Sequence, residues 1–369
     1  MKILYISNCI IPSRTANSIQ VMKMCQAFSD NRHEIVLLAP NRKNHYEKRV
    51  HDVYKFYGVK KIFKLKKLWY PNIKCGVFLY LLAIFFYLLF SKKFNLVYGR
   101  FLPGCYVAAL LNNNVFFETH ENLFQKKTLK SLFFKKLIKN KFFTKLIVIS
   151  QALKNIYLKN GYLHDSIIQV AHDGADDLKN FNSKIDLLGS PDKLKVGYVG
   201  NLYKGRGIKT IIECAQKIND MTFHIVGGLK EDIDYWKSYL KKFDLDNLYF
   251  YGFVPPKETV RYLNSFDILL APYKRKVTIS GLGDTSKFMS PIKIFEYMSH
   301  KKPIIVSDLP VIREVLNVKN SILVDPDNIK LWINSIKKLK DSNKRERLSQ
   351  QALNDFKIYT WKNRASSII

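Results

Sequence analysis

Two short segments carry residue types and spacings that suit an anionic ligand. In the first, GNLYKGRG, Gly200, Gly205 and Gly207 surround Lys204 and Arg206, between an apolar run and a helical pattern that starts near Ile208. Glycines let backbone approach an anion, a helix N-terminus offers free amides, and two cations complete such a pocket. A purely structural tight turn would account for the same glycines. The second segment runs from Gly283 to Leu316. There Ser290 suits an N-cap and Pro291 the first helical position. Ile292, Phe295, Glu296 and Ser299 fall at i, i+3, i+4 and i+7, so Glu296 shares a helix face with two apolar side chains. A carboxylate there needs a partner. Together the two segments can hold a nucleotide diphosphate and the hydroxyls of its ribose. Lys293, one turn before Glu296, reads either as a phosphate contact or as a partner for a neighbouring acid.

A second group lies earlier in the chain. His120 follows the strand pattern Val115–Glu118, and ligands of open parallel sheets bind beyond the carboxyl ends of strands. Glu118 and Glu121 flank it and suit either an acceptor hydroxyl or the capping of a turn. Arg100 follows VYG at another strand end, where it suits an acceptor phosphate or plain solvation. The chain has no H-E-x-x-H, and neither a metal nor a cofactor is expected.

The elements that must position these residues alternate between strand and helix patterns. Strand-like runs occur at Lys2–Ser7, Glu34–Ala39, Leu96–Tyr98, Val115–Glu118 and Leu146–Ser150. A second series follows at Lys195–Gly200, Thr222–Val226, Leu248–Phe253, Ile268–Pro272, Pro303–Val306 and Ser321–Val324. Such alternation predicts an α/β protein with parallel sheets. Asn17 is the expected cap of the first helix. The expected domains are 1–175 and 194–355, with the polar stretch 176–193 as linker. A length of 369 residues accommodates two cores.

Five scattered cysteines without ligand spacing argue against a disulfide framework or a structural zinc site and fit a reducing compartment. MKILYIS enters a strand directly, without the pattern of a signal peptide. The net charge is +31, and residues 1–150 hold 26 Lys and Arg against 6 Asp and Glu, or +20. Two stretches, 55–70 and 126–143, interleave lysines with large apolar groups. That pattern suits an anionic membrane surface. No nucleic-acid-binding motif accompanies the charge. The apolar run Val77–Phe90 would span roughly 21 Å as a helix, short of a hydrocarbon core of about 30 Å. It therefore reads as a core helix.

The order and spacing of MKILYIS, FFETHE (116–121), LIVIS (146–150), VGYVGNLYKGRGI (196–208), YGFVPPKETVRYLNSFDILLAPY (251–273), SPIKIFEYMSHKKPIIVSDLPVIREVL and YTWKNRA resemble retaining glycosyltransferases of family 4 along nearly the whole chain. The resemblance implies the GT-B fold, two Rossmann-like domains facing across a cleft, with the C-terminal helix 356–369 crossing back to the first. It also implies a nucleotide-diphosphate sugar donor. Arg206 and Lys204 would lie on the diphosphate, Glu296 on the ribose, Ser290, Pro291 and Ile292 beside the donor, and His120 against the donor sugar. Two departures stand out. The family's first motif acid is replaced by Phe288, which leaves Asp284, Ser286 or the backbone of 289–292 to meet the sugar, and Asn201 replaces a frequent arginine. The implied reaction uses the donor's own phosphate oxygen to take the acceptor proton. With the basic first domain, the expected acceptor is a lipid-linked or oligosaccharide surface-glycan precursor at the inner face of the cell membrane. A GT-B nucleotide-sugar 2-epimerase and a non-catalytic GT-B-like scaffold subunit are the rival readings.

Overall fold

The computed structural model describes residues 1–124, 128–178, 183–279 and 283–369. Lys126 and Lys127 of the second basic stretch, and linker positions 179–182, lie outside these. The chain divides into two compact units, Met1–His172 with Trp361–Ile369, and Asp173–Thr360.

The first unit is built on seven parallel strands: β1 (Lys2–Ile6), β2 (Glu34–Pro40), β3 (Lys64–Leu68), β4 (Leu96–Gly99), β5 (Val115–Thr119), β6 (Phe143–Val148) and β7 (Ile168–Val170). Their order is β3-β2-β1-β4-β5-β6-β7. The second unit has six, β8 (Leu194–Val199), β9 (Met221–Val226), β10 (Leu248–Gly252), β11 (Ile268–Ala271), β14 (Ile304–Ser307) and β15 (Ile322–Val324), plus a small antiparallel pair, β12 (Thr278–Ile279) and β13 (Gly283–Asp284). Its parallel order is β10-β9-β8-β11-β14-β15. Internal strands such as β1 and β9 are almost wholly buried because helices cover both faces. In each sheet the winding reverses once, between β1 and β4 and between β8 and β11. Such reversals open a crevice beyond the strands' carboxyl ends. Arg100 follows β4, and GNLYKGRG follows β8.

Several expectations need correction. The first helix, Ala16–Asp30, is capped by Thr15, whose hydroxyl accepts the Ser18 amide at 3.4 Å, and not by Asn17. Part of the basic stretch 55–70 is β3, an edge strand; lysine-rich edges resist pairing with other chains. The returning element is the helix Trp361–Ile368 alone, since Ser342–Phe356 stays with the second unit. The helix Gly76–Phe90 is not a core helix. Only Gly76, Tyr80, Ile84 and Leu88 are buried, and Phe78, Phe86, Leu89 and Phe90 are exposed.

A buried ion pair ties the last helix into the first unit. Glu118, at the end of β5, is fully buried, and Arg364 Nη2 lies 3.1 Å from its Oε1. Arg364 also donates to the carbonyls of His172 and Ala171 at 2.7 and 3.2 Å. Tyr98, Gln20 and His120 donate to the same carboxylate. Burial by itself would raise the Glu118 pKa, but Arg364, His120 and Arg100 outweigh it and hold the carboxyl well below its usual range. The pairing therefore stabilises the unit at all pH above the unfolded value of about 4.3, and it is lost only as acid protonates the folded carboxyl. Arg364→Met strands a buried charge and should cost about 3–5 kcal/mol in urea or thermal unfolding. Glu118→Gln in the same chain should recover part of that loss. A single variant with parental stability would show that the pair is not needed.

Candidate anion-binding site

The glycines after β8 are placed by close approach. Gly200 has φ +146°, and a Cβ there would fall 2.9 Å from Lys293 Cε. Gly207 has φ +76° and starts the helix Ile208–Ala215; its Cβ would fall 1.8 Å from the Pro272 carbonyl oxygen just past β11. Only glycine fits either place. The helix Ile292–Ser299 is fixed to the same strand ends by one side chain. Tyr297 Oη accepts the Val199 amide at 2.9 Å and donates to the Leu270 carbonyl at 3.3 Å.

This helix begins one residue later than its sequence suggests. Pro291 occupies the N-cap position, and no side chain among the described residues caps the helix. Ser290, the expected cap, is buried and accepts the Asp173 amide through its Oγ at 2.9 Å. The Ile294 amide closes on the Pro291 carbonyl at 3.0 Å, while the amides of Ile292 and Lys293 meet no capping side chain among the described residues, the usual condition for anion binding. At the far end, His300 Nδ1 donates to the Glu296 carbonyl at 2.6 Å and steadies that turn.

Two cations converge above a floor of tyrosines. Lys293 Nζ sits 3.4 Å from the Tyr198 ring centroid and 5.5 Å from that of Tyr273. The Arg206 guanidinium carbon lies 5.5 Å from the same Tyr273 ring. The Lys293 residue is partly exposed, yet its Nζ is sealed from solvent and has no hydrogen-bond partner among the described residues; Arg206 Nε is in the same state. Burial drives the Lys293 pKa well below the ordinary lysine range, and Arg206 adds to that while Glu296 opposes it. An anion of more than one charge would partner the Arg206 guanidinium and favour the charged form of Lys293 beside it. Glu296, half-buried one turn on, can take hydroxyl donors.

Other predicted residues fare differently. Lys204 is exposed on the loop. Phe288 is buried and apolar, so the missing motif acid has not been replaced by a polar group at that position. Asp284 Oδ1 accepts the amides of Val277 and Ser286 at 3.1 and 3.0 Å, which makes it a loop staple. Tyr198, Tyr273 and Tyr297 carry no functional signal in the sequence. Each sits in an apolar run that reads as core, and nothing local marks a hydroxyl or a ring face for use.

In the first unit, the ends of β4 and β5 bring His120, Glu118 and Arg100 together. His120 Nε2 lies 2.6 Å from Glu118 Oε1. A carboxylate only accepts, so Nε2 carries the hydrogen. Arg100 donates to Gln20, and its Nε lies 4.0 Å from the same carboxylate oxygen. Glu118 corrects an expectation: with its oxygens enclosed by protein donors it cannot meet an acceptor hydroxyl, and it orients His120 instead. Glu121 pairs with Lys130 at 3.0 Å and remains partly exposed.

Lys293→Met removes a dry ammonium and should leave the melting temperature of the ligand-free protein unchanged or higher. The same change should weaken binding of a diphosphate probe, pyrophosphate or UDP, at least about tenfold, since hydrogen bonds to charged groups contribute about 1.5–3 kcal/mol. Calorimetric titration checks this, and unaltered affinity would make Lys293 a packing residue.

The sequence profile of glycosyl transferases group 1 matches residues 193–342. Among curated proteins, TuaH of Bacillus subtilis, named as a teichuronic acid biosynthesis glycosyltransferase, is 27% identical over 34% of this chain and 29% of its own. MJ1069 of Methanocaldococcus jannaschii, named as a glycosyltransferase, is 26% identical over 58% of this chain and 55% of its own. The chain thus spans about half or less of the length of these relatives. Sucrose-phosphate synthase from Thermosynechococcus elongatus superposes with a TM-score of 0.75 at 15% identity, covering 100% of this chain and 97% of that one. HepE of Anabaena, solved with UDP and glucose, gives 0.70 at 15% identity over 100% and 98%. TarM of S. aureus, solved with UDP, gives 0.69 at 11% identity over 100% and 98%. Matched at full coverage by glycosyltransferase structures, the two parallel-sheet units have the GT-B fold.

Proposed function

We propose that this chain is a glycosyltransferase that moves a sugar, with retention of configuration, from a nucleoside-diphosphate sugar to a lipid-linked surface-glycan precursor at the cytoplasmic face of the membrane. The observation that carries this is the meeting of Arg206, Lys293 and the uncapped helix Ile292–Ser299 beyond β8 and β11. Cleavage of the bond between the anomeric carbon and the phosphate oxygen leaves negative charge on the diphosphate. Cations and amides already in place stabilise that charge most where it develops, in the transition state. Glu296, a turn beyond, is assigned the ribose hydroxyls. The donor's phosphate oxygen is assigned the acceptor proton, so no protein nucleophile is invoked. His120, held by Glu118, is assigned the transferred sugar; Arg100 and Glu121 are assigned the acceptor.

The group 1 profile over the second unit supports the transferase reading. UDP bound to HepE and TarM makes UDP-sugars the first donors to try. The relative named for teichuronic acid biosynthesis supports a surface-glycan acceptor, and the +20 charge of residues 1–150 supports a lipid-linked one. A 2-epimerase does not need that charge, and transfer by the purified protein separates the transferase from a scaffold subunit.

Thermal stabilisation across UDP-, GDP- and other nucleotide sugars tests the donor: at 100 times its Kd the right one adds about 2.7 kcal/mol. Glu296→Ala should weaken donor binding by about 1.5–3 kcal/mol per lost hydrogen bond while the protein stays folded. Arg206→Ala should depress kcat, and an effect confined to KM would limit it to ground-state positioning. Transfer should survive EDTA. Complete loss with rescue by Mg2+ or Mn2+ would overturn the metal-free assignment.

A further inference from the structure

The helix Gly76–Phe90 contains no charged residue and is held to the protein by a narrow stripe. Tyr80, Ile84 and Leu88 recur at every fourth position and are buried. Tyr80 also donates to the Ser7 carbonyl at 2.6 Å, and its ring lies 5.7 Å from that of Phe101. The opposite face is apolar and open to solvent. Phe78 is 61% exposed, Phe86 51%, Leu89 53% and Phe90 81%, with the rings of Phe86 and Phe90 stacked at 6.3 Å. Trp69 and Ile73, just before the helix, are 62% and 60% exposed. A continuous apolar face of this kind marks a surface that another phase or partner covers.

Charge decides what covers it. From residue 53 to residue 117 the sequence holds ten lysines and arginines and no acid. Lys66, on the edge strand β3, lies 5.0 Å from the Tyr87 ring of the helix, and Lys92 and Lys93 follow its last turn. A second copy docked through this face would set like charges against like, which opposes association. An anionic leaflet answers both features, with apolar side chains in the acyl boundary, aromatic groups at headgroup depth and lysines on the phosphates. Fifteen residues rise about 22 Å, too short to cross, and no helix among the described residues is long and apolar enough to do so.

We propose that the helix Gly76–Phe90 is an in-plane membrane anchor, its Phe78–Phe86–Phe90 face sunk into an anionic leaflet with the lysines of β3 and of positions 92–93 at the headgroups. The proposal rests on the reading that the acceptor is lipid-linked. It names the surface that brings the first unit to that acceptor, and it distinguishes insertion from attraction by charge alone.

The test uses the full chain and vesicles of phosphatidylcholine with 30% phosphatidylserine or with none, by sedimentation across a salt series. The parent should bind only the anionic vesicles and keep a bound fraction at high salt. Phe78→Ser with Phe86→Ser and Phe90→Ser should cut partitioning at least about tenfold and make the remainder fully salt-released. Lys60→Gln, Lys61→Gln, Lys64→Gln, Lys66→Gln and Lys67→Gln together should weaken low-salt binding, each lysine contributing roughly fivefold at the surface. Thermal melting of each variant verifies its fold, and stabilisation by donor reads the transferase assignment separately. A serine variant that binds as the parent does would overturn insertion, and equal binding to neutral vesicles would overturn the anionic assignment. A parent that ignores both vesicles yet self-associates through this face would give the surface to a second copy. If it ignores both and stays monomeric, the membrane assignment also falls, whatever donor stabilisation shows.

Discussion

The first unit depends on a carboxylate that has been taken completely out of water. Glu118 ends a central strand, and Arg364 reaches it from 246 residues further along the chain. Neither charge is tolerable there without the other. The pairing makes the chain's last helix an integral part of a unit that otherwise ends at His172. It also sets the position of His120, because the same carboxylate receives the imidazole's hydrogen. Folding energy and site geometry are thus coupled through one group. Its surrounding donors, Tyr98, Gln20 and Arg364, act on the proposed chemistry only by holding that group still.

The second unit contains the opposite situation. The Lys293 Nζ is sealed from solvent against the faces of Tyr198 and Tyr273, and Arg206 lies over the same Tyr273 ring. Cation–π attraction offsets part of the desolvation cost, but the ammonium has no hydrogen-bonded acceptor among the described residues. Proteins seldom keep such a group for stability's sake. The helix amides beside it are left uncapped because Ser290 serves Asp173 instead. Among the described residues, the ammonium and the start of the helix thus lack side-chain hydrogen-bond partners in the same place. The geometry there comes from strand ends that Gly200, Gly207 and Tyr297 bring into close register.

Periodicity and motif order in the sequence determined the α/β class, the succession of the main strands along the chain and the two segments that carry Arg206 and Lys293. The reason is that buried parallel strands and Gly-rich turns have local signatures. Cap positions slipped by one or two residues, at Ser290 and Asn17, because several small polar residues stood near each helix start. The edge strand β3 went unread since its lysines resemble a solvated run. What only the tertiary structure decided concerns partners distant in sequence. Glu118 looks the same on paper whether it faces solvent or Arg364. Lys293 acquires its meaning from Tyr198, 95 residues earlier, and from Tyr273, 20 residues earlier. The apolar run Val77–Phe90 becomes a surface because its neighbours cover a single stripe of it. Local pattern fixes where a chain turns and which elements it forms, whereas burial and charge pairing are sums over contacts that only the folded chain makes.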